Sequence, residues 1–124
     1  MNAISTTAAP AAIGPYSQAI EANGTVYVSG QLPIDPATGE FAPGGIQAQA
    51  RQSLTNMKNI LAEAGLTMQN VAKVTVLLAD IADFAAVNEV YAEFFSAPFP
   101  ARSAFQVAAL PKGAGVEIEA IAVK

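Results

Sequence analysis

Residues 46–78, IQAQARQSLTNMKNILAEAGLTMQNVAKVTVLL, decide the fold. Apolar and small residues in the first part recur at helical spacing and share one face. They are Ile46, Ala50, Ser53, Met57, Ile60, Leu61 and Ala64. Gly65 stands where a helix C-cap is commonly found. The β-branched run from Val71 to Leu78 is typical of a strand, so the stretch predicts a helix followed directly by a strand.

Two strands joined by a tight turn are predicted before this stretch. Asn23-Gly24 is a strong signal for a two-residue hairpin turn, and residues 25–30 are β-branched and aromatic, as strands are. Residues 17–22 are therefore expected to pair with residues 25–30. The first dozen residues are predicted to be an irregular arm, and the Pro- and Gly-rich residues 31–45 are predicted to be a loop.

A second helix and two final strands are predicted after it. Asp80 and Asp83 offer side-chain oxygens that suit a helix N-cap, and the helix should end before Pro98. Its predicted buried stripe is Phe84, Val87, Tyr91, Phe94 and Phe95. Residues 102–107 and 116–123 are the final predicted strands, joined by a loop at residues 110–115.

These elements give one domain, residues 1–124, in the order ββαβαββ. Strands separated by a helix tend to be parallel, so the predicted fold is α+β, a two-layer mixed β-sheet with two helices on one face. Nothing in the chain covers the other face. Because only 13% of residues are charged, against about 25% in an average globular chain, we expect that face to be buried in a symmetric homo-oligomer.

The composition excludes several classes of catalytic and metal-binding site. The chain has no Cys and no His, which excludes disulfides, thiolate nucleophiles, Cys-based metal sites and the Ser-His-Asp triad. A net charge of −4 with six Lys and Arg residues argues against a nucleic-acid-binding face. No segment has the pattern of a membrane span or a signal peptide, so we expect a cytoplasmic protein. Catalysis would have to come from carboxylates, two arginines, hydroxyls, amides and the backbone.

The last predicted strand carries two carboxylates on one face. Strand alternation places Glu117, Glu119, Ile121 and Val123 on one face, opposite Val116, Ile118, Ala120 and Ala122. On a solvated strand, such charges simply oppose aggregation. If a neighbouring chain covers the face, one carboxylate lies in a low dielectric with a raised pKa and can act as a general base.

Arg102 opens a short predicted strand between proline and apolar residues. Its guanidinium would bind a planar anion, because its donors match a carboxylate or phosphate with two parallel hydrogen bonds. The alternative is a structural ion pair with Glu117 or Glu119. Arg51, on the polar side of the first helix, is interpreted as a solvated charge.

Three further residues are weaker candidates for a site. Tyr16 lies in a turn-like Gly-Pro-Tyr, Ser29 ends a strand, and Asn88 lies within the second helix. Each also has a plain interpretation, as a packing aromatic residue, a strand-end hydroxyl and a solvated amide respectively. Asn is mildly unfavourable inside a helix, which leaves a hydrogen bond across an interface as the alternative for Asn88.

Over essentially its full length the chain resembles the RidA family, the YjgF-like enamine/imine deaminases also labelled endoribonuclease L-PSP. The matching stretches are residues 11–19, 28–33, 49–54, 100–103 and 116–122. The resemblance implies a chorismate-mutase-like trimer with clefts between subunits. It also implies hydrolysis, without cofactor or metal, of the 2-imino or enamine acids that pyridoxal-phosphate dehydratases release, to 2-keto acids and ammonia.

The resemblance also assigns roles to individual residues. Arg102 matches the arginine that holds the substrate carboxylate, and Glu117 matches the glutamate that positions the attacking water. Tyr16, Ser29 and Asn88 match residues that line the pocket. Many members carry Cys where this chain has Ala104, which leaves only a backbone contact at that position.

The leading hypothesis is therefore a 2-iminobutanoate/2-iminopropanoate deaminase. One alternative is a non-catalytic regulatory protein that binds small carboxylates in the same cleft. Another is the ribonuclease of the older label, against which the acidic charge and the missing His argue. The leading hypothesis requires Arg102 and Glu117 to meet in a crevice where protomers join, and their placement on opposite, open sides of an isolated protomer would end the case for it.

Overall fold

The computed structural model describes all 124 residues as six strands and two α-helices. The strands are β1 (Asn2–Ile4), β2 (Ala19–Ala22), β3 (Thr25–Gln31), β4 (Val71–Leu78), β5 (Ala101–Gln106) and β6 (Val116–Val123). The helices are α1 (Ile46–Glu63) and α2 (Phe84–Phe94). Single 3₁₀ turns at Met68–Asn70, Ile81–Asp83 and Pro111–Gly113 complete the structure.

The predicted hairpin is confirmed as β2 and β3. Asn23 and Gly24 adopt φ values of 52° and 77°, the left-handed conformations that a type I′ turn requires. Ala22 therefore pairs directly with Thr25. This tight turn fixes the register of the two strands and so determines which residues of β3 face the helices.

The prediction of an irregular first dozen residues is wrong in part. Asn2 to Ile4 form the edge strand β1, which pairs antiparallel with β2, so that three strands precede the first helix. Three residues are too few to show a strand period. Their strand conformation comes from the hydrogen-bonding groups that β2 offers along its outer edge.

All strands join in one sheet of order β1-β2-β3-β6-β4-β5. The pair β4 and β5, connected through α2, is parallel, whereas every other pair is antiparallel. The predicted mixed sheet and α+β class are confirmed. The last strand of the sequence, β6, lies near the middle of the sheet between β3 and β4.

The core lies between the sheet and the two helices. From β6 it takes the side chains predicted to share one face, Val116, Ile118, Ala120 and Ala122. The helix α1 contributes Leu54 and Asn56, which the predicted helix face did not include. Asn56 is buried because its amide donates to the carbonyls of Leu32 and Ile34, which fastens the 31–45 loop to the helix.

The opposite face of the sheet is uncovered in the single chain. Tyr27, Phe105 and Val123 are about half exposed there, at 49%, 48% and 47% of their surface. An exposed apolar face of this kind is typical of a surface that another chain covers. Neither helix is long and apolar enough to cross a membrane.

Candidate active site

Glu117 and Glu119 lie on the uncovered face of the sheet, as strand alternation predicted. Their side chains line a cleft of about 950 Å³. Its lining includes Tyr16, Ser29, Gly30, Lys112, Glu117 and Glu119. The structure therefore brings together three of the predicted site residues, Tyr16, Ser29 and Glu117.

The surroundings of Glu117 disfavour its charge. Burial raises the pKa of this carboxyl, and the nearby charge of Glu119 raises it further. The two ion pairs of the chain join Arg51 to Glu93 and Lys124 to Glu21, so Glu117 forms no ion pair. A half-buried carboxylate without a cationic partner accepts a proton more readily than an exposed one, as a general base must.

The backbone of β3 passes very close to this carboxylate at Gly30. A Cβ built at that position would collide with the Glu117 side chain, 2.9 Å from its Cδ atom. The register of β3 against β6 shifts at this point, between Val28 and Gln31. Sequence reasoning missed Gly30 as a site residue, although a glycine inside a strand often marks such a close approach.

The hydroxyl of Ser29 forms a hydrogen bond within the protein. It donates to the carbonyl of Ser17 at 2.6 Å, which ties the strand to the segment after Tyr16. The side chain of Gln18, which is buried, then holds the arm through bonds with the backbone of Thr6, Ala9 and Pro10. These bonds place Tyr16, itself about half exposed, at the cleft.

Arg102 lies on the other face of the sheet. It pairs with Val74, whose side chain is buried beneath the helices, and its Nη1 donates to Oδ1 of Asn88 at 2.8 Å. Asn88 therefore has a hydrogen-bond partner within its own chain, whereas the sequence predicted either a solvated amide or a bond across an interface. Ala104 follows on the same face, since it pairs with the buried Val76.

The guanidinium of Arg102 has aromatic neighbours and no acidic one. Its central carbon lies 4.7 Å from the ring centroid of Tyr91 and 5.3 Å from that of Phe84. The ion pair with Glu117 or Glu119 that the sequence left open does not form in this chain. A guanidinium without a carboxylate partner is available to bind an anion from outside the protomer.

The predicted site residues around Arg102 and those around Glu117 do not meet within one chain, so the single protomer does not fulfil the condition stated from the sequence. Arg102 and Asn88 lie on the helix side of the sheet, whereas Glu117, Tyr16 and Ser29 lie at the cleft on the open side. This placement excludes a site in which one protomer supplies both Arg102 and Glu117. Arg102 and Glu117 can act on one substrate only if they come from different chains.

Sequence reasoning assigned Phe84 and Tyr91 to packing alone, and both also contact Arg102. Burial raises the pKa of the Tyr91 hydroxyl, although the charge of Arg102 opposes this, so Tyr91 is neutral. Lys112, which was placed in a loop, lines the cleft with a left-handed φ of 58°. No group of three acidic side chains is arranged to hold a metal ion.

The family model described as endoribonuclease L-PSP matches residues 6–124. The chain is 62% identical to a Capra hircus protein and 55% identical to a Homo sapiens protein, both named 2-iminobutanoate/2-iminopropanoate deaminase. Each alignment covers 98% of this chain and 88% of the relative.

Solved structures agree with the fold at similar identity. The YjgF gene product of E. coli superposes with a TM-score of 0.96 at 50% identity, over 100% of this chain and 99% of that one. E. coli TdcF, solved with bound serine, gives a TM-score of 0.96 at 49% identity with the same coverage.

Proposed function

The chain belongs to the endoribonuclease L-PSP family, which includes RidA and YjgF, and on that premise we propose that it is a 2-iminobutanoate/2-iminopropanoate deaminase. It hydrolyses reactive 2-imino or enamine acids to 2-keto acids and ammonia. Relatives of that name at 55–62% identity over nearly the whole chain support the assignment. The observation that carries the assignment is that the Arg102 guanidinium forms no ion pair with an acidic residue of its own chain.

The substrate class fits this guanidinium. A 2-imino acid carries a carboxylate next to the reacting carbon, and an arginine can hold such a group with two parallel hydrogen bonds. The TdcF relative was solved with serine, a small 2-amino acid with the same carboxylate. Binding through Arg102 would hold the imine carbon in a fixed position for attack.

The reaction needs little beyond an anchor and a base, because an imine carbon is already electrophilic. Glu117 takes a proton from water as the water oxygen bonds to that carbon, and the C=N electron pair moves to nitrogen, which receives the proton from Glu117. In the resulting carbinolamine, Glu117 takes the hydroxyl proton and passes it to nitrogen. The C–N bond then breaks to release ammonia and leave the keto acid. Acid–base assistance of this kind contributes about 10²–10⁴-fold.

We infer a homotrimer, as the RidA resemblance implies, with its sites between subunits. Arg102 and Asn88 of one protomer would face Glu117, Tyr16 and Ser29 of a neighbour. The half-exposed apolar residues of the uncovered face, Tyr27 and Phe105 among them, support an assembly that covers this face. The cytoplasmic location, the absence of a cofactor and the absence of a nucleic-acid partner stay predictions from the sequence.

The non-catalytic alternative uses the same cleft and differs in one outcome. A regulatory protein would bind a keto acid such as 2-oxobutanoate without speeding imine hydrolysis, and Glu117→Gln would change nothing in that binding. For a deaminase, Glu117→Gln should abolish turnover. RNA cleavage that persists in both Arg102→Ala and Glu117→Gln would point to a contaminant.

The test follows imine hydrolysis after threonine dehydratase generates the imine in situ. The wild-type protein should speed the release of ammonia, and Arg102→Ala should reduce the rate to that of the uncatalysed reaction. Arg51→Ala is the matched control, because it removes the other arginine, whose guanidinium pairs with Glu93 on the surface. An undiminished rate in Arg102→Ala would overturn the proposal.

A further inference from the structure

We propose that Phe84 and Tyr91 are positioning residues that fix the orientation of the Arg102 guanidinium toward the substrate carboxylate. The inference rests on the proposed function for the identity of that carboxylate. It gives two residues of the apolar stripe of α2 a role besides packing, because they would influence substrate affinity through Arg102.

The positions of the two rings follow from helix geometry. Phe84, Asn88 and Tyr91 stand at spacings of four and three residues along α2, so they lie in a row on one face. The amide of Asn88 accepts a hydrogen bond from Arg102 at 2.8 Å. The two rings flank this amide along the helix, and both lie within the distance of about 6 Å at which a ring face attracts a cation.

These contacts leave the guanidinium its capacity to bind an anion. An arginine has five N–H donors, of which the structure commits one, to Asn88. Contact with an aromatic face uses none of these donors. Phe84 and Tyr91 can therefore hold the guanidinium while its remaining donors stay available for the two oxygens of a carboxylate.

Arg102 needs such support because it is exposed on an edge strand. A long flexible side chain in that position samples many rotamers, and ordering it upon binding reduces affinity. Rings that hold the guanidinium before the substrate arrives lower this cost. The loss of a ring should therefore raise KM and leave the chemical step at Glu117 nearly unchanged.

Tyr91 supplies its own control variant. The residue is only 6% exposed, and its hydroxyl is buried without a hydrogen-bond partner. An unpartnered buried hydroxyl contributes no stabilising bond, so the ring is the part that matters. Tyr91→Phe keeps the ring and removes the hydroxyl, whereas Tyr91→Leu removes the ring.

The kinetic test compares Tyr91→Leu and Phe84→Leu with Tyr91→Phe. Each leucine variant should raise KM for the imine, and the dissociation constant of 2-oxobutanoate, by about three- to thirtyfold, the range expected for a cation–π contact. We expect kcat to change less than KM. Tyr91→Phe should leave both constants close to those of the wild type.

A spectroscopic test reports on the guanidinium itself. The chain has only two arginines, so Arg51→Ala assigns both Nε–H signals in a ¹⁵N spectrum. The Arg102 signal should be displaced by ring currents in the wild type and in Tyr91→Phe. It should move toward the Arg51 position in Tyr91→Leu. Thermal unfolding identifies any variant that fails to fold, and Phe84→Leu, at a half-buried position, then provides the result.

Two outcomes separate this inference from the proposed function. If folded Tyr91→Leu and Phe84→Leu bind 2-oxobutanoate as the wild type does and keep its KM, the positioning role is wrong even though the deaminase assignment stands. If the wild type binds 2-oxobutanoate without turnover, and the leucine variants bind it more weakly, the positioning role holds and the deaminase assignment fails.

Discussion

As the proposed base, Glu117 needs both a charged carboxylate and a raised pKa, and these two properties conflict. It must be ionised to accept a proton from water, yet burial and the charge of Glu119 raise its pKa above the ordinary 4.5 of a glutamate. A carboxylate with a higher pKa is a stronger base, at the cost of being protonated over a wider range of acidic pH. This compromise predicts a distinctive pH profile.

We expect kcat/KM to fall as the pH drops through the raised pKa of Glu117, because the protonated form cannot activate water. The midpoint of that fall should lie above 4.5. Glu119→Gln removes the second cause of the shift and should move the midpoint to lower pH. The measurement is kcat/KM against pH, corrected for uncatalysed decay of the imine.

Glu40→Gln is the matched control for this profile, since Glu40 is an exposed residue of the 31–45 loop. It should leave the midpoint where it is in the wild type. A midpoint that does not move in Glu119→Gln would show that Glu119 does not act on the titrating group. A midpoint at or below the ordinary value would exclude Glu117 as a desolvated base.

At the scale of elements, the site depends on how closely β3 approaches β6. Gly30 gives the Glu117 carboxylate the space that any side chain would occupy. The contact joins residues far apart in the sequence, and the register shift after Val28 places it there. A change in β3 should therefore act on the catalytic step through β6.

Gly30→Ala should lower kcat by at least about tenfold, because the added methyl group displaces the Glu117 carboxylate and a misplaced group is costly in catalysis. The conformation of Gly30 does not itself exclude a side chain, since its φ is not in the left-handed region, so the fold should be retained. Steady-state kinetics and circular dichroism measure the two effects.

Gly45→Ala is the control for this substitution. A Cβ at Gly45 meets no atom within 4 Å, and the residue has an ordinary φ of −87° at the start of α1. It should have wild-type kinetics. Full activity in Gly30→Ala would show that the carboxylate can move without loss, and the proposed role of Glu117 would fail with it.

Local patterns predicted most of these elements. The bounds of β4 and β6 agree with prediction, because alternation and β-branching persist over eight residues. The strand β1 could not be predicted, since it owes its conformation to β2. Leu54 and Asn56 of α1 were missed because the buried face is wider than the predicted row, and Asn56 is satisfied by distant loop carbonyls.

The site was less predictable than the fold. Strand alternation predicted the face of Glu117, whereas the sequence left Arg102 open between binding an anion and a structural ion pair, which does not form in this chain. The aromatic contacts of Arg102 and the approach of Gly30 depend on tertiary packing, which no local period encodes. The division of the residues between two faces follows from the parallel register of β4 and β5, and sequence spacing alone does not give that register.

At the scale of the whole molecule, this division means that the proposed reaction requires neighbouring chains to supply Arg102 and Glu117 to one site. In the proposed function, one face of the sheet carries the arginine that binds the substrate carboxylate, and the other face carries the base. A symmetric ring of protomers brings the two unlike surfaces together at every interface, as a head-to-tail contact that closes on itself. Activity should then require two neighbouring chains, because each supplies one of the two groups.

Mixed assemblies test this directly. Arg102→Ala and Glu117→Gln should each be inactive alone. Co-expressed in equal amounts, they should recover activity, because random assembly gives about one quarter of the interfaces an intact arginine from one chain and an intact glutamate from its neighbour. The rate per site should thus approach about a quarter of the wild-type rate. If both groups came from one chain, every site would lack one of them, and co-expression would restore nothing.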